Sequence, residues 1–163
     1  MIKNQRGFNL TELMVVIAII GIMGLIAVPT LVTALPGYRL KSSAKELCSN
    51  LRKARSLAVK QNRTVVIEFQ DNGYRIDNRE AVALPGGVTF GHGNATAPPG
   101  DAASIPSDNI SFNDNKVTFT SQGLISGGNG YVYLQNAKGQ AFAVGARTSG
   151  SIVMRQWAGS VWK

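Results

Sequence analysis

The chain has one cysteine and one histidine. A single cysteine excludes an internal disulfide, and one of each is too few soft ligands for a conventional zinc or iron-sulfur site. Charge is also scarce, at 16% of residues, and acids are the scarcer sign: 9 Asp and Glu against 17 Lys and Arg, a net +8. No G-x-S-x-G, H-E-x-x-H or phosphate-binding loop with Lys-Ser/Thr occurs, and Gly127-Gly128-Asn129-Gly130 reads as a turn. The sequence therefore offers no catalytic constellation: neither an enzyme nor a cofactor or metal is expected. What is present is apolar, 44% of residues, which is wrong for a disordered chain. At 163 residues there is room for one domain and one special segment.

That segment runs from Leu13 to Leu35 without a charge. At about 1.5 Å per residue it is long enough to cross a bilayer core of roughly 30 Å as a helix. A cleaved secretory signal would have an apolar region of only about 7 to 15 residues and a small-x-small site after it. Here a polar leader, MIKNQRG, precedes the run and ends at Gly7. Glu12 stands at the N-terminal edge of the apolar helix. It is read either as an anion at the headgroups and the helix dipole or as one half of an ion pair.

The stretch GFNLTELMVVIAIIGI resembles the class III signal of type IV pilins and pseudopilins. The resemblance implies that prepilin peptidase cleaves after Gly7 and methylates the new amine of Phe8. It also implies that Glu12 meets the N-terminal ammonium of a neighbouring subunit during assembly. Asn9-Leu10-Thr11 departs from the Thr-Leu-Ile usual in the family. Lys3 and Arg6 flank one end of the apolar run and Arg39, Lys41 and Lys45 the other, so charge alone leaves the orientation open. The resemblance places the leader in the cytoplasm and the globular domain in the periplasm of a single-pass inner-membrane protein, later part of a pilus or pseudopilus. Its implied partners are other pilins or pseudopilins, the peptidase, the inner-membrane assembly platform and the lipid bilayer.

Pro29 and Pro36-Gly37 are helix breakers, predicting a kink or loosening between Ala27 and Tyr38. Beyond them Leu40, Ala44, Leu47, Leu51, Ala54 and Ala58 recur at helical spacing, one apolar stripe suited to cover a sheet. Cys48 lies beside that stripe and reads as a buried small hydrophobe. Residues 39–63 hold eight basic residues against Glu46 alone, a net +7, whereas residues 64–163 hold seven of each sign. The basic excess therefore belongs to the helix, with lipid headgroups and filament neighbours as its plainest partners.

Short β-prone runs are expected at Thr64–Gln70, Tyr74–Asp77, Gly87–Phe90, Ile110–Phe112, Lys116–Thr120, Tyr131–Gln135, Gln140–Val144 and Ser151–Arg155. Asp71-Asn72-Gly73 between the first two marks a hairpin, and the short connections favour antiparallel pairing. The predicted fold is α+β: a long N-terminal helix, transmembrane then amphipathic, packed on an antiparallel β-sheet globular domain. The expected organisation is a leader over 1–7, a transmembrane helix half over 8–37 and a globular domain over 38–163 that includes the amphipathic helix 38–62. ARSLAVKQNRTVVIEF, VTFTSQGLISGGNGYVYLQNAKGQ and Ser149-Gly150-Ser151-Ile152 resemble the H-type pseudopilin of type II secretion and the FimT/FimU-type minor pilins. This implies a structural subunit that initiates or caps a pilus or pseudopilus.

The segment 91–109 is rich in Gly, Pro, Ala and Ser, and is expected to be exposed, mobile or functional. His92 within it reads as a solvated loop residue. Asp101, Asp108 and Asp114 do not follow the spacing of an EF-hand. The weaker alternative function is a DNA-binding minor pilin, with Arg147, Arg155 and Lys163 as the phosphate contacts, a thin footprint on a neutral domain.

Overall fold

The computed structural model describes residues 9–77, 79, 81–100 and 102–163. The chain divides into two compact units between Leu35 and Pro36. One helix, α1 (Leu10–Lys60), contributes to both.

In the second unit the expected stripe is the part of α1 that is buried. Leu40, Ala44, Leu47, Leu51, Ala54 and Ala58 are all fully enclosed, and Cys48 is buried beside them. Helical periodicity sets this directly, since residues three and four apart share a face. The helix stops in a Schellman motif: Asn62 takes φ 47°, its N–H donates to the Val59 carbonyl, and the Arg63 N–H donates to the Ala58 carbonyl. Asparagine tolerates that left-handed conformation better than most residues.

Among the described residues nine strands follow, all antiparallel where they pair: β1 (Val65–Gln70), β2 (Gly73–Ile76), β3 (Ala81–Ala83), β4 (Val88–Phe90), β5 (Lys116–Phe119), β6 (Ile125–Ser126), β7 (Gly130–Asn136), β8 (Ala141–Ala146) and β9 (Ile152–Gln156). They form two sheets rather than the one anticipated, ordered β3-β2-β1-β5-β6 and β4-β7-β8-β9. The expected hairpin joins β1 to β2, with Gln70 opposite Gly73. Gly73 serves a close approach there, because a Cβ would overlap the Val82 carbonyl oxygen of β3.

The main core lies under the helix stripe, where Val65, Ile67, Val117, Phe119, Val132, Leu134, Phe142 and Val144 gather. β7 and β8 are buried on both faces. Their alternate side chains, Tyr131, Tyr133, Ala141 and Ala143, join Ala95, Trp157 and Trp162 in a second core on the other side of the sheet. Gly145, opposite Tyr131, leaves room for that ring, which a Cβ would strike.

One expectation needs correcting, and two further short strands appear. Ile110–Phe112 is not a strand: Ile110 forms an isolated bridge to Val132, and the chain then turns through a 3-10 segment at Asn113–Asn115, where Asp114 has φ 54°. The strands β3 and β6, of three and two residues, are too short to leave a periodic signal. α1 also runs unbroken through Pro29 and Pro36. A proline leaves one carbonyl without its N–H partner, and near Pro29 the Thr30 hydroxyl donates to the Ala27 carbonyl at 2.8 Å, while Thr33 donates to Thr30 at 2.9 Å. Neither carbonyl is the one Pro29 frees, that of Leu25, so these hydroxyls add bonds beside the proline rather than replace the lost one.

Candidate functional site

At the N-terminal end Asn9 precedes the helix as its cap. Its carbonyl accepts from the N–H groups of Glu12 (3.0 Å) and Leu13 (3.1 Å), and its side-chain oxygen accepts from Thr11 N–H at 3.5 Å. Asparagine at this position is suited to start the helix. Glu12 falls in the first turn, three residues after the cap, where the backbone dipole favours an anion. Its side chain is exposed and has no ion-pair partner among the described residues. Gly7 and Phe8 lie outside the described residues.

Beyond Glu12 the apolar side chains from Leu13 to Leu35 are exposed, including Ile20 at 62% and Leu25 at 78%. The core helix of a soluble protein buries such a surface. This one presents it on all sides, as a helix does when lipid or other apolar helices surround it.

The basic residues fall into two groups. On α1, Arg39, Lys41, Lys45, Arg52, Lys53, Arg55 and Lys60 are all exposed, away from the buried stripe. Arg39 donates to the Gly86 carbonyl at 3.3 Å and Arg55 to the Gly123 carbonyl at 3.0 Å, but none meets a carboxylate among the described residues. In the second group, Arg155 on β9 lies opposite Ala143, and Arg147 follows β8 four residues further along. At about 3.3 Å per residue they are roughly 13 Å apart. Lys163 pairs through its backbone with Gln156, which puts its side chain on the other face of the sheet from Arg155. Arg147, Arg155 and Lys163 therefore do not converge on one patch.

Part of the segment 91–109 covers the second core, through Ala95, Ala102 and Ile105. Ala95 and Pro99 are buried, and the Trp162 indole N–H donates to the Ala97 carbonyl at 2.7 Å. Trp162 also lies 5.3 Å from Trp157 and 5.8 Å from Tyr133, centroid to centroid. The paired tryptophans in the last seven residues were the available sign that something covers this face, and sequence reasoning passed over them. His92 is half-buried rather than solvated, with Nδ1 2.7 Å from Asn109 Oδ1, which ties the two ends of the segment together. Asp108 and Asp114 are exposed, and Asp101 lies outside the described residues. No cluster able to hold a metal occurs among the described residues.

Among the described residues two ion pairs brace the sheet. Arg63, just past the helix, pairs with Asp77 at the end of β2, and the guanidinium holds the Asp77 carboxyl below its ordinary range. Lys116 and Glu68 are opposite each other on β5 and β1 at 2.9 Å, and the carboxylate raises the lysine. Inside, Tyr74 accepts from the Asn50 amide of α1 at 2.6 Å, and burial pushes its hydroxyl up.

A long helix whose second half packs on antiparallel sheets, while its first half offers an apolar surface behind a capped, acid-bearing first turn, is the architecture of a pilin-like subunit. Residues 43–153 match the family of the type II transport protein GspH, and residues 2–28 match the prokaryotic N-terminal methylation motif. The chain belongs to the GspH family. Two crystal structures of the type IV minor pilin FimU of Pseudomonas aeruginosa are similar to it. One has 18% identity over 76% of this chain and 92% of that one, with a TM-score of 0.48. The other has 20% identity over 76% and 97%, with a TM-score of 0.45. Comparison with curated sequences gives no match. The methylation motif and the apolar helix behind it fit membrane anchoring.

Proposed function

We propose that this chain is a structural subunit that initiates or caps a type IV pilus or a type II secretion pseudopilus. Residues 1–7 are removed by prepilin peptidase, which leaves a methylated Phe8 as the first residue. Residues 8–37 hold the subunit in the inner membrane until the assembly platform draws it into the filament, and residues 38–163 stand in the periplasm. The observation that carries this reading is the pairing of an apolar, uncovered helix surface with a single acid, Glu12, in its first turn.

At the membrane surface Glu12 is wetted and inexpensive to hold. Among apolar helices an unpaired carboxylate is costly, whereas a neighbour's Phe8 ammonium supplies opposite charge at close range. Glu12→Val should leave membrane insertion and leader removal intact and sharply lower incorporation into the filament or its tip. Glu12→Asp, one methylene shorter, should lower it in part. Cell fractionation and co-purification with partner pilins measure both. Assembly of Glu12→Val at the wild-type level would return Glu12 to a headgroup anion.

A further inference from the structure

The exposed face of α1 between Arg39 and Lys60 extends about 32 Å at 1.5 Å per residue. It carries seven cations and the single acid Glu46. None of the seven forms an ion pair with a carboxylate among the described residues, while Arg39 and Arg55 are held by the Gly86 and Gly123 carbonyls. Uncompensated like charge along a helix is unfavourable to packing against another such helix. The acids left exposed elsewhere among the described residues of this unit, Asp71, Asp108 and Asp114, sit in loops and form no strip of matching length. A second copy therefore offers this ridge its own charge back and little to complement it.

We propose that the ridge Arg39–Lys60 is a docking surface for a different filament subunit, one that presents carboxylates along the contact, and that it excludes stacking of this chain on itself. The inference rests on the reading of the chain as a filament subunit and adds the chemistry of its neighbour. Like-charge repulsion between ridges 8–10 Å apart would set the subunit's copy number low without any dedicated stop signal.

The test uses full-length protein and a defined acidic partner: the same chain carrying Lys41→Glu, Lys45→Glu, Arg52→Glu and Lys53→Glu. All four positions are exposed, so the fold should be kept. Differently tagged copies are co-reconstituted in phosphatidylcholine liposomes and treated with a carbodiimide, which joins a lysine amine to a carboxylate in contact, and the linked residues are mapped by mass spectrometry. Wild type with the acidic copy should give at least tenfold more heterodimer than wild type with wild type. The links should run from the ridge lysines to the new glutamates and should be lost at high salt. A copy with glutamine at the four positions should not link.

Equal linking of wild type with itself, or no excess with the acidic copy, would overturn the proposal. So would loss of the link when phosphatidylglycerol is included or duplex DNA is added, since lipid or nucleic acid would then be the ridge's occupant. Leader removal is scored separately, in cells. If it proceeds and the ridge does not link, the inference about the neighbour fails alone; if it does not proceed, the subunit reading fails first.

Discussion

Between Leu13 and Leu35, α1 carries apolar side chains all round and covers none of the large ones; between Leu40 and Ala58 it gathers them on one stripe and covers them completely. Backbone geometry is helical throughout, so the difference lies in the pattern of side chains and in what each pattern needs as surroundings. A one-sided stripe is satisfied by the chain's own sheets. An all-round apolar surface is not, and must be completed by lipid or by other subunits. The folding problem of the second half is solved within the molecule, and that of the first half outside it.

A single charge in each half makes the contrast measurable. Leu47→Asp places an unpaired carboxylate in the enclosed stripe and should destabilise the globular unit by several kcal/mol, on the order of 4. Leu25→Asp should leave thermal unfolding of that unit unchanged while reducing membrane insertion. Equal effects of the two on unfolding would erase the distinction.

Much of this contrast is legible in sequence because helical periodicity and an uncharged run longer than 20 residues are strong local signals. Glu12 and the residues around it are legible for the same reason, as one acid against an apolar background. The division into two sheets is not, because it depends on which strands pair across long loops, and nothing local to Lys116–Phe119 says that it lies beside Val65–Gln70. The second core was hidden by composition. A segment full of Gly, Pro, Ala and Ser gives no local sign of packing, yet Trp162, sixty-five residues after Ala97, hydrogen-bonds to it.

Within the globular unit the cores differ in what covers them, a helix for one and a loop for the other. Trp162→Ala should cost about 3 kcal/mol by leaving a cavity beside Trp157 and Tyr133. It should also expose 91–109 to limited proteolysis, whereas Leu47→Ala at similar cost should spare that segment from selective cutting. Asn62→Ala, which forces a β-carbon without a compensating side chain into the left-handed cap, should cost about 1 kcal/mol in thermal unfolding.

The smallest effect concerns the Arg63–Asp77 pair, exposed on the arginine side. Because Asp77 is held below its usual carboxylate range, its contribution is present above the unfolded value, near 3.8, and is lost as pH falls through the lower folded value. Asp77→Asn should therefore lower stability slightly at pH 7, where solvent screens the pair, and converge on the wild type as pH falls, which flattens the acid limb of a stability-against-pH curve. Unaltered acid unfolding of this variant would remove the pair from the account.

The central claim, that the first half of α1 is exported uncovered for others to enclose, depends on the leader being removed and the helix being retained. Intact-mass measurement of the full-length protein extracted from membranes tests this most directly. The expected species begins at Phe8 and is heavier by one N-methyl group. A mature chain that begins at Met1, or one that begins beyond Leu35 with the apolar helix gone, would contradict it.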